Sequence, residues 1–406
     1  WRVGLTRFAL RMLGELVETR FASLAEAQDL DSYLKLEGNK REKPLLNRAT
    51  REFYVPGSTF KTFTMISAFR AGKQNAVFPS YADGFKPVKG SRPIVDATQK
   101  LQPDGTVAGA CDGGCQEKDI TFAYKVSSNQ YFAQLAIELG RERLRETAML
   151  MGIAAVDTPD DAVMARFFPN IWNTSVPNIA GALAPSQSTI VTGNKISLYD
   201  VGLEGMGQGY AGQMTPFQMA LIASIPGNME GKLMKPRIEA DQPPQMFAQI
   251  LSAQQAAAIR GIMSTVTEEP GGTGTVISAK LAGTGIRTGG KTGTAEKLAP
   301  VYDEKTGKLK TVTKKRKNDK GEWVEYQAPV MYERTDSWFI TIAPLEKPQV
   351  AIAVVVEGGG FGARTAAPIA ANVILKARDL GLLGDQYKPK AAPQKPAAKT
   401  PAKKPR

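Results

Sequence analysis

The residues best suited to chemistry are a serine and a lysine three positions apart, Ser58 and Lys61. On a helix this spacing places the hydroxyl and the amine on one face. The chain has 406 residues and no histidine, which excludes Ser-His-Asp triads, Cys-His pairs and histidine-ligated metals. A lysine in an apolar helix can replace histidine, because burial lowers the pKa of the amine until it accepts a proton. The pair therefore predicts a serine nucleophile with a lysine base.

Two further polar segments follow at long intervals. Ser127-Ser128-Asn129 opens a predicted helix, and Ser127 could simply cap that helix together with Gln130. Lys291-Thr292-Gly293-Thr294 is a rarer pattern, and its glycine would let a substrate approach the backbone closely. Each segment also has an ordinary structural explanation. The first pair could be a helix cap beside a solvated lysine, and the last segment a glycine-rich turn.

The last segment also satisfies a competing pattern. Gly285 to Thr292 fits the phosphate-binding loop of nucleotide hydrolases, G-x-x-x-x-G-K-[ST]. Such a loop follows a buried strand and leads directly into a helix, whereas here Gly293, Pro300 and a charged segment follow. Glu357, after a strand-like run, could imitate the acidic residue that orders magnesium. A nucleotide hydrolase is therefore a remote alternative.

Apolar periodicity predicts the elements that position these segments. The predicted helices open at Gly57 and end near Gly72, run from Ser127 to Gly140, start at Thr215-Pro216, and start at Pro368. Strands at Ser337–Ala343 and Val350–Val356 should form an antiparallel hairpin. Residues 72–118 read as loop or short strands, Asp303–Glu322 as a basic loop, and Lys388–Arg406 as a disordered tail.

The excess positive charge lies mainly outside the predicted core. The net charge is +13, and most of the excess lies in two segments. Lys388–Arg406 has seven basic residues and no acidic residue, and Asp303–Glu322 has eight basic and four acidic residues. The rest is close to neutral, which argues against a nucleic-acid groove in the core. The 42% hydrophobic content is that of an ordinary globular protein.

Cys111 and Cys115 are the two cysteines. A disulfide across their short glycine-containing loop is the favoured interpretation and would imply an oxidising compartment, with two reduced thiols as the alternative. Two thiolates without histidine make a poor metal site, so neither a metal nor a cofactor is predicted. No apolar run reaches the roughly 18 to 20 residues of a membrane span. The chain opens at Trp1 without an apolar signal core, so we expect a fragment without its targeting segment.

The order of the three polar segments is typical of one family. Ser-x-x-Lys, then Ser-x-Asn about 70 residues later and Lys-Thr-Gly some 160 residues beyond it, is the serine acyl-transferase set of penicillin-binding proteins and serine β-lactamases. Flanking segments strengthen the likeness: Pro44–Arg48, Tyr54–Lys61, Gly207–Tyr210, Thr215–Ala220, Lys291–Ala295 and Ser337–Phe339. From about Pro44 to Leu383 the chain resembles the transpeptidase domain of class B penicillin-binding proteins.

The resemblance implies a role for each matching residue. Ser58 would be the acylated nucleophile and Lys61 its proton acceptor. Ser127 would pass a proton to the leaving amine, and Asn129 would hold the carbonyl of the substrate peptide.

The third segment would bind the donor peptide. Lys291 would supply positive potential, while Thr292 and Thr294, on either side of Gly293, would bind the terminal carboxylate. The backbone N–H groups of Ser58 and Thr294 would form the oxyanion hole.

The implied fold is α/β (α+β), with a five-stranded, mainly antiparallel sheet flanked by helices and a helical subdomain carrying Ser127 to Asn129. We expect an unassigned segment over 1–43, a transpeptidase domain over 44–385 and the disordered tail over 386–406. The strand pair that the family places ahead of the nucleophile has no counterpart before Pro44. We also expect this sequence to be a fragment that lacks the membrane anchor and pedestal domain usual in the family.

The implied function is a peptidoglycan D,D-transpeptidase that cross-links stem peptides ending in D-Ala-D-Ala and is covalently inhibited by β-lactams. A β-lactam-binding sensor and a serine β-lactamase or D,D-carboxypeptidase are the alternatives. Class D β-lactamases share Ser-Thr-Phe-Lys, but they usually have Val in place of Asn129 and are much shorter. The implied location is the extracytoplasmic face of the bacterial inner membrane, where a membrane glycosyltransferase is a common partner. No nucleic acid is expected to bind.

Overall fold

The computed structural model describes residues 38–39, 46–165, 185–208, 213–236, 243–303, 306–317 and 321–389. The helices, numbered α1 to α10, are Arg48–Arg51, Lys61–Arg70, Ile120–Val126, Asn129–Leu150, Pro159–Met164, Leu198–Gly205, Pro216–Gly227, Ala253–Glu268, Val276–Leu281 and Ala366–Asp379. Strands β1 to β8 are Phe78–Pro79, Lys100–Leu101, Val107–Ala108, Glu117–Lys118, Ala154–Val156, Thr189–Val191, Lys232–Met234 and Met246–Gln249. Strands β9 to β13 are Gly289–Pro300, Thr311–Lys317, Trp323–Pro329, Met331–Ala343 and Val350–Val356.

A three-stranded antiparallel sheet of order β13-β12-β9 forms the centre of the fold. Side chains on β12 alternate between two hydrophobic clusters. Trp338 and Ile340 lie in the cluster that includes residues of α2, α4, α7 and α8, whereas Phe339 packs in the cluster that includes α9 and α10. The sheet is therefore buried on both faces, which explains why its strands read as apolar runs.

The predicted hairpin is confirmed. Ser337 pairs with Val356 and Ala343 pairs with Val350, in the register that a short connection between the two strands requires. The described part of the chain contributes three strands to this sheet rather than the five that the family resemblance implies. The remaining strands described form separate two-stranded pairs. The mixed class of helices and a mainly antiparallel sheet is confirmed.

Helix α2 runs through the middle of the fold. A 3₁₀ turn, Gly57–Phe60, leads into it, and every residue from Lys61 to Phe69 is buried. Its sequence carries apolar residues on several faces, as a fully enclosed helix requires. The helix ends at Arg70, as the glycine at position 72 predicts. Helices α4, α6 and α8 pack around it.

A helical part of the chain carries the Ser127–Asn129 turn. The turn joins α3 to α4, and α4 packs against α6. Gly140, where we predicted that α4 would end, has φ 76° and ψ 164° and marks a kink, after which helical structure resumes as far as Leu150. Thr215 caps α7 by accepting from the Gln218 N–H, with Pro216 at the first helical position, as predicted.

The basic loop prediction for residues 303–322 is wrong. Residues Thr311–Lys317 form β10, which pairs with β11 in an exposed antiparallel hairpin. Three consecutive β-branched residues, Thr311 to Thr313, favour a strand at the start of β10. No described helix combines the length and apolar character that a membrane span requires. The predictions for residues 1–37 and 390–406 lie outside the described residues.

Candidate functional site

The serine and lysine of the first motif are in direct contact. Lys61 begins α2, and its Nζ lies 3.0 Å from the Oγ of Ser58 in the preceding 3₁₀ turn. The lysine side chain is 0% exposed, whereas the serine is partly exposed. A nucleophile that substrate can reach therefore has a buried amine behind it. The alternative of a solvated lysine is wrong.

The second motif closes over the same amine. Lys61 Nζ donates to the Ser127 carbonyl at 2.6 Å and to Asn129 Oδ1 at 2.7 Å, and it lies 3.3 Å from Ser127 Oγ. Ser127 is left-handed, with φ 66°, and is the only non-glycine residue with positive φ among those described. This uncommon conformation turns both its carbonyl and its hydroxyl toward the lysine.

The helix-capping explanation for Ser127 is also wrong. Ser128 caps α4, accepting from the Tyr131 N–H, and Ser127 instead ends α3 as its left-handed C-cap. The hydroxyl of Ser127 is therefore not used for capping. The side-chain amide of Asn129 donates to the Val95 carbonyl at 2.9 Å, which fixes the orientation of that residue.

The third motif brings a second buried amine to the site. Lys291 lies on β9, is 0% exposed, and its Nζ donates to Ser127 Oγ at 2.8 Å. The Lys291 amine also lies 5.6 Å from the centre of the Tyr124 ring, a favourable cation–π distance. The hydroxyl of Ser127 thus sits between two lysine amines, each contributed by a different element.

The next residues of β9 lie against the turn that carries the nucleophile. Gly57 has φ 55°, and a Cβ added there would lie 2.5 Å from the Thr294 carbonyl oxygen. A Cβ on Gly293 would lie 2.9 Å from the Thr59 side chain. Glycine at both positions therefore permits close contact between turn and strand. Gln208 fixes the same edge by donating to the Thr294 carbonyl at 3.0 Å.

The two threonines of this motif differ in their surroundings. Thr292 is 8% exposed, and its Oγ1 lies 2.7 Å from Thr273 Oγ1. Thr294 is partly exposed. The structure thus brings Ser58, Lys61, Ser127, Asn129 and Lys291 into one hydrogen-bonded network, with Thr292, Gly293 and Thr294 continuing along the adjoining strand.

Burial sets the charge state of the two amines. Desolvation lowers the pKa of Lys61 to about 8, opposed by the charges of Asp96 and Asp112. Desolvation also holds the pKa of Lys291 well below its usual range, and the nearby Lys61 charge lowers it further. Both shifts favour the neutral amine, which is the form that accepts a proton.

The phosphate-loop alternative is contradicted by the fold. Residues from Gly289 onward form β9, so Lys291 lies within a strand rather than at the start of a helix. Its amine is engaged by Ser127. Glu357 accepts from the Tyr54 hydroxyl and pairs with Arg334. Neither half of the nucleotide-binding arrangement is present in these residues.

The sequence analysis did not identify two carboxylates that lie next to the site. Two buried carboxylates, Asp96 and Asp112, lie next to the second motif, and neither belongs to a recognisable pattern. A signal existed only for Asp112, which lies between the two cysteines. Cys111 and Cys115 form a disulfide, as predicted.

The arrangement can carry out acyl transfer. It supplies an accessible hydroxyl, a buried base within hydrogen-bonding distance and a second hydroxyl held between two amines. A hydroxyl in that position can relay a proton between nucleophile and leaving group. No imidazole is needed.

Comparisons with known proteins agree with this chemistry. The sequence matches the family described as penicillin binding protein transpeptidase domain over residues 26–375. It is 28% identical over 367 residues to the peptidoglycan D,D-transpeptidase PbpA of Mycolicibacterium smegmatis, covering 86% of this chain and 60% of that protein. It is 27% identical over 353 residues to the peptidoglycan D,D-transpeptidase MrdA of Haemophilus influenzae, covering 83% of this chain and 46% of that protein.

Solved structures share the fold. An acyl-enzyme complex of penicillin-binding protein A from M. tuberculosis has a TM-score of 0.57 and 24% identity, covering 85% of this chain and 65% of that one. A complex between penicillin-binding protein PBP2 and MreC from Helicobacter pylori has a TM-score of 0.57 and 21% identity, covering 87% and 55%. The chain spans about 60% of the length of the first curated relative. With the family match covering most of its length, the chain belongs to the penicillin binding protein transpeptidase domain family.

Proposed function

We propose that this protein is a serine-type D,D-transpeptidase that cross-links peptidoglycan stem peptides ending in D-Ala-D-Ala. The observation that carries the proposal is the network in which Lys61 contacts Ser58, Ser127 and Asn129 while Lys291 contacts Ser127. Family membership supports the same chemistry. Residues 44–385 would form the transpeptidase unit.

Acylation begins at Ser58. Its Oγ attacks the carbonyl carbon of the penultimate D-Ala, and Lys61 accepts the hydroxyl proton across the 3.0 Å contact. The bond between that carbon and the nitrogen of the terminal D-Ala breaks. Ser127 passes a proton to the leaving amine and is reprotonated by Lys61, which holds the proton taken from Ser58. The products are a Ser58 ester and free D-Ala.

Donor recognition falls to groups around this centre. Asn129 has a second amide N–H beyond the one bound to Val95, and that N–H would hold the peptide carbonyl. Thr292 and Thr294 would bind the terminal carboxylate. Lys291 would add positive potential that favours an anionic end group in its protonated form, which burial disfavours.

The oxyanion of the tetrahedral intermediate would be held by the backbone N–H groups of Ser58 and Thr294. Support comes from the close approach of the turn at Gly57 to the Thr294 carbonyl, which sets the two backbones side by side. The ester is then attacked by the amine of a second stem peptide, which completes the cross-link. A β-lactam would acylate Ser58 in the same way.

The setting of the reaction is proposed on family grounds. Relatives named as peptidoglycan transpeptidases suggest a role outside the cytoplasm, at the extracytoplasmic face of the inner membrane. A membrane glycosyltransferase that supplies glycan strands is the proposed partner. The similar penicillin-binding protein from Helicobacter pylori was solved with MreC, so a scaffold protein is a second kind of partner to test.

The test separates transpeptidase from β-lactamase, carboxypeptidase and sensor. Purified protein is acylated with a labelled penicillin, and the lifetime of the adduct is followed by mass spectrometry. A long-lived adduct, combined with transfer of a donor peptide to an added D-amino acid, is the expected result. Turnover of penicillin within seconds would indicate a β-lactamase, hydrolysis of the donor without transfer a carboxypeptidase, and a stable adduct with neither reaction a sensor.

A further inference from the structure

A buried aspartate lies directly behind the second motif. Asp96 is 1% exposed, and its carboxylate accepts from Ser128 Oγ at 3.1 Å and from the Gln130 N–H at 3.0 Å. The neighbouring carbonyl of Val95 accepts from the Asn129 amide. One short segment of chain therefore holds three consecutive residues of the turn that follows Ser127.

A second carboxylate holds that segment in place. Asp112 accepts from the Ala97 N–H at 3.0 Å and from the Thr98 N–H at 3.1 Å, and its own N–H donates to Asp96 at 3.1 Å. Asp112 lies inside the loop closed by the Cys111–Cys115 disulfide. The disulfide loop, Asp112 and Asp96 thus form a continuous support for the turn.

Several groups act on the charge of Asp96. Burial raises the pKa of Asp96, as does the charge of Asp112, whereas the Gln130 N–H and the charges of Lys61 and Lys118 favour the carboxylate. Lys118, 1% exposed, donates to the Gly114 carbonyl in the disulfide loop and interacts electrostatically with both carboxylates. On the other side lies Lys61, whose pKa both carboxylates raise against the larger effect of burial. The charge of Lys61 in turn lowers the pKa of Lys291, beyond the larger effect of burial.

We propose that Asp96, oriented by Asp112, is a positioning residue for acylation of Ser58: it fixes the turn that presents Ser127 and Asn129, and it places a negative charge behind Lys61. The proposal rests on the proposed function, because it concerns the rate of that acylation. Asp96 itself is not a catalytic residue, since its contacts are with the turn and its support rather than with the nucleophile.

An Asp96→Asn substitution separates this role from simple packing. Asparagine keeps the size and shape of aspartate. One carboxylate oxygen that now accepts hydrogen bonds becomes an amide NH₂ group, which cannot accept them, so the turn loses hydrogen bonds. Removal of the charge also lowers the pKa of Lys61 further, since a nearby carboxylate favours the protonated amine. The rate of acylation would then begin to fall at a lower pH than in the wild type.

The experiment measures the rate of Ser58 acylation by a labelled penicillin from pH 5.5 to 9.5, in the wild type and in Asp96→Asn. We expect a maximal rate at least about tenfold lower and an acid limb moved to lower pH by roughly one unit. Asp104→Asn is the matched control, because Asp104 is exposed and, within the described part of the chain, its side chain bonds only to Thr106. This control should match the wild type.

The possible results separate the positioning role of Asp96 from the proposed transpeptidase function. An unchanged rate, or a lower rate with an unmoved acid limb, would overturn the positioning role while leaving the proposed function intact. A wild-type protein that is never acylated would contradict the proposed function and this inference together. Should Asp96→Asn fail to fold by circular dichroism, Asp112→Asn is measured instead, with the same direction of both changes expected and the same results overturning the proposal.

Discussion

The lysine at the inner end of strand β9 and the lysines of the β10–β11 hairpin lie in opposite environments. At the inner end Lys291 is fully buried and bonded to a serine hydroxyl. Beyond the outer end, the β10–β11 hairpin carries lysines such as Lys315, whose side chain is 65% exposed and paired with Glu325. Burial, rather than the density of charge along the sequence, therefore distinguishes the lysine of the candidate site from the lysines of the hairpin.

The hairpin lysines behave as ordinary surface charges. Lys317 lies 5.6 Å from the ring centre of Trp323, and Arg316 lies 5.2 Å from that of Tyr326. Exposed ion pairs and cation–π contacts of this kind contribute about 0 to 1 kcal/mol each. These contacts leave the charged groups open to solvent, in contrast to the fully buried amines of Lys61 and Lys291.

The largest contrast should appear when one lysine of each region becomes methionine. Lys61→Met removes the base that contacts Ser58, and we expect acylation by a labelled penicillin to slow by about 10³-fold, within the range for loss of a general base. Lys314→Met, on the exposed face of β10, should leave the rate unchanged. Equal losses in the two variants would show that the comparison between the regions is wrong.

A smaller loss is expected at the hydroxyl between the two amines. Ser127→Ala removes the proposed proton relay and should slow acylation by about 100-fold, the low end of acid–base contributions, since water can partly replace the hydroxyl. Ser264→Ala is the control, because that hydroxyl bonds only to the Gly261 carbonyl of its own helix. A Ser127→Ala rate within twofold of the wild type would remove Ser127 from the mechanism.

The pH dependence of the acylation rate gives a further test of Lys61 as the base. Burial lowers the pKa of Lys61 to about 8, so the neutral, proton-accepting amine becomes scarcer as pH falls below 8. The rate of acylation should therefore fall about tenfold per unit below that limb and level off above it. Stopped-flow measurement with a chromogenic β-lactam checks this. A flat profile from pH 6 to 9 would mean that Lys61 is not the base.

The smallest effect is expected at the basic tail. Deletion of residues 388–406, which carry seven basic residues, should leave the acylation rate unchanged at both low and high ionic strength. A severalfold slower rate at low salt that recovers at high salt would place the tail within the electrostatic field of the site.

The residues of the proposed catalytic network could be picked out from the sequence because each lies in a motif of fixed local spacing, and the structure brings them into contact. Ser58 and Lys61 meet across one helical turn, so the sequence alone brings them together. The disulfide was readable for the same reason, since its cysteines are four residues apart. The helix at Thr215-Pro216 and the hairpin of β12 and β13 likewise depend on local signals.

The features that the sequence did not predict correctly share a different cause. Asp96 reaches Ser128 across 32 residues of chain, and no periodicity records a contact of that kind. The predicted cap was wrong by one residue: Ser127 is left-handed and its carbonyl accepts from Lys61, 66 residues away in the chain. The hairpin of β10 and β11 was hidden because its run of basic residues suggested a loop. Contacts between distant segments decide each of these features.

The proposal that Ser58 is the nucleophile of this site is tested most directly by identifying the residue that penicillin labels. Wild-type protein is incubated with a labelled penicillin, digested and sequenced by tandem mass spectrometry. We expect one adduct, on the Ser58 hydroxyl, and no adduct in a Ser58→Ala variant that keeps the wild-type circular dichroism spectrum. An adduct that persists in Ser58→Ala, or an absence of labelling in folded wild-type protein, would contradict the claim.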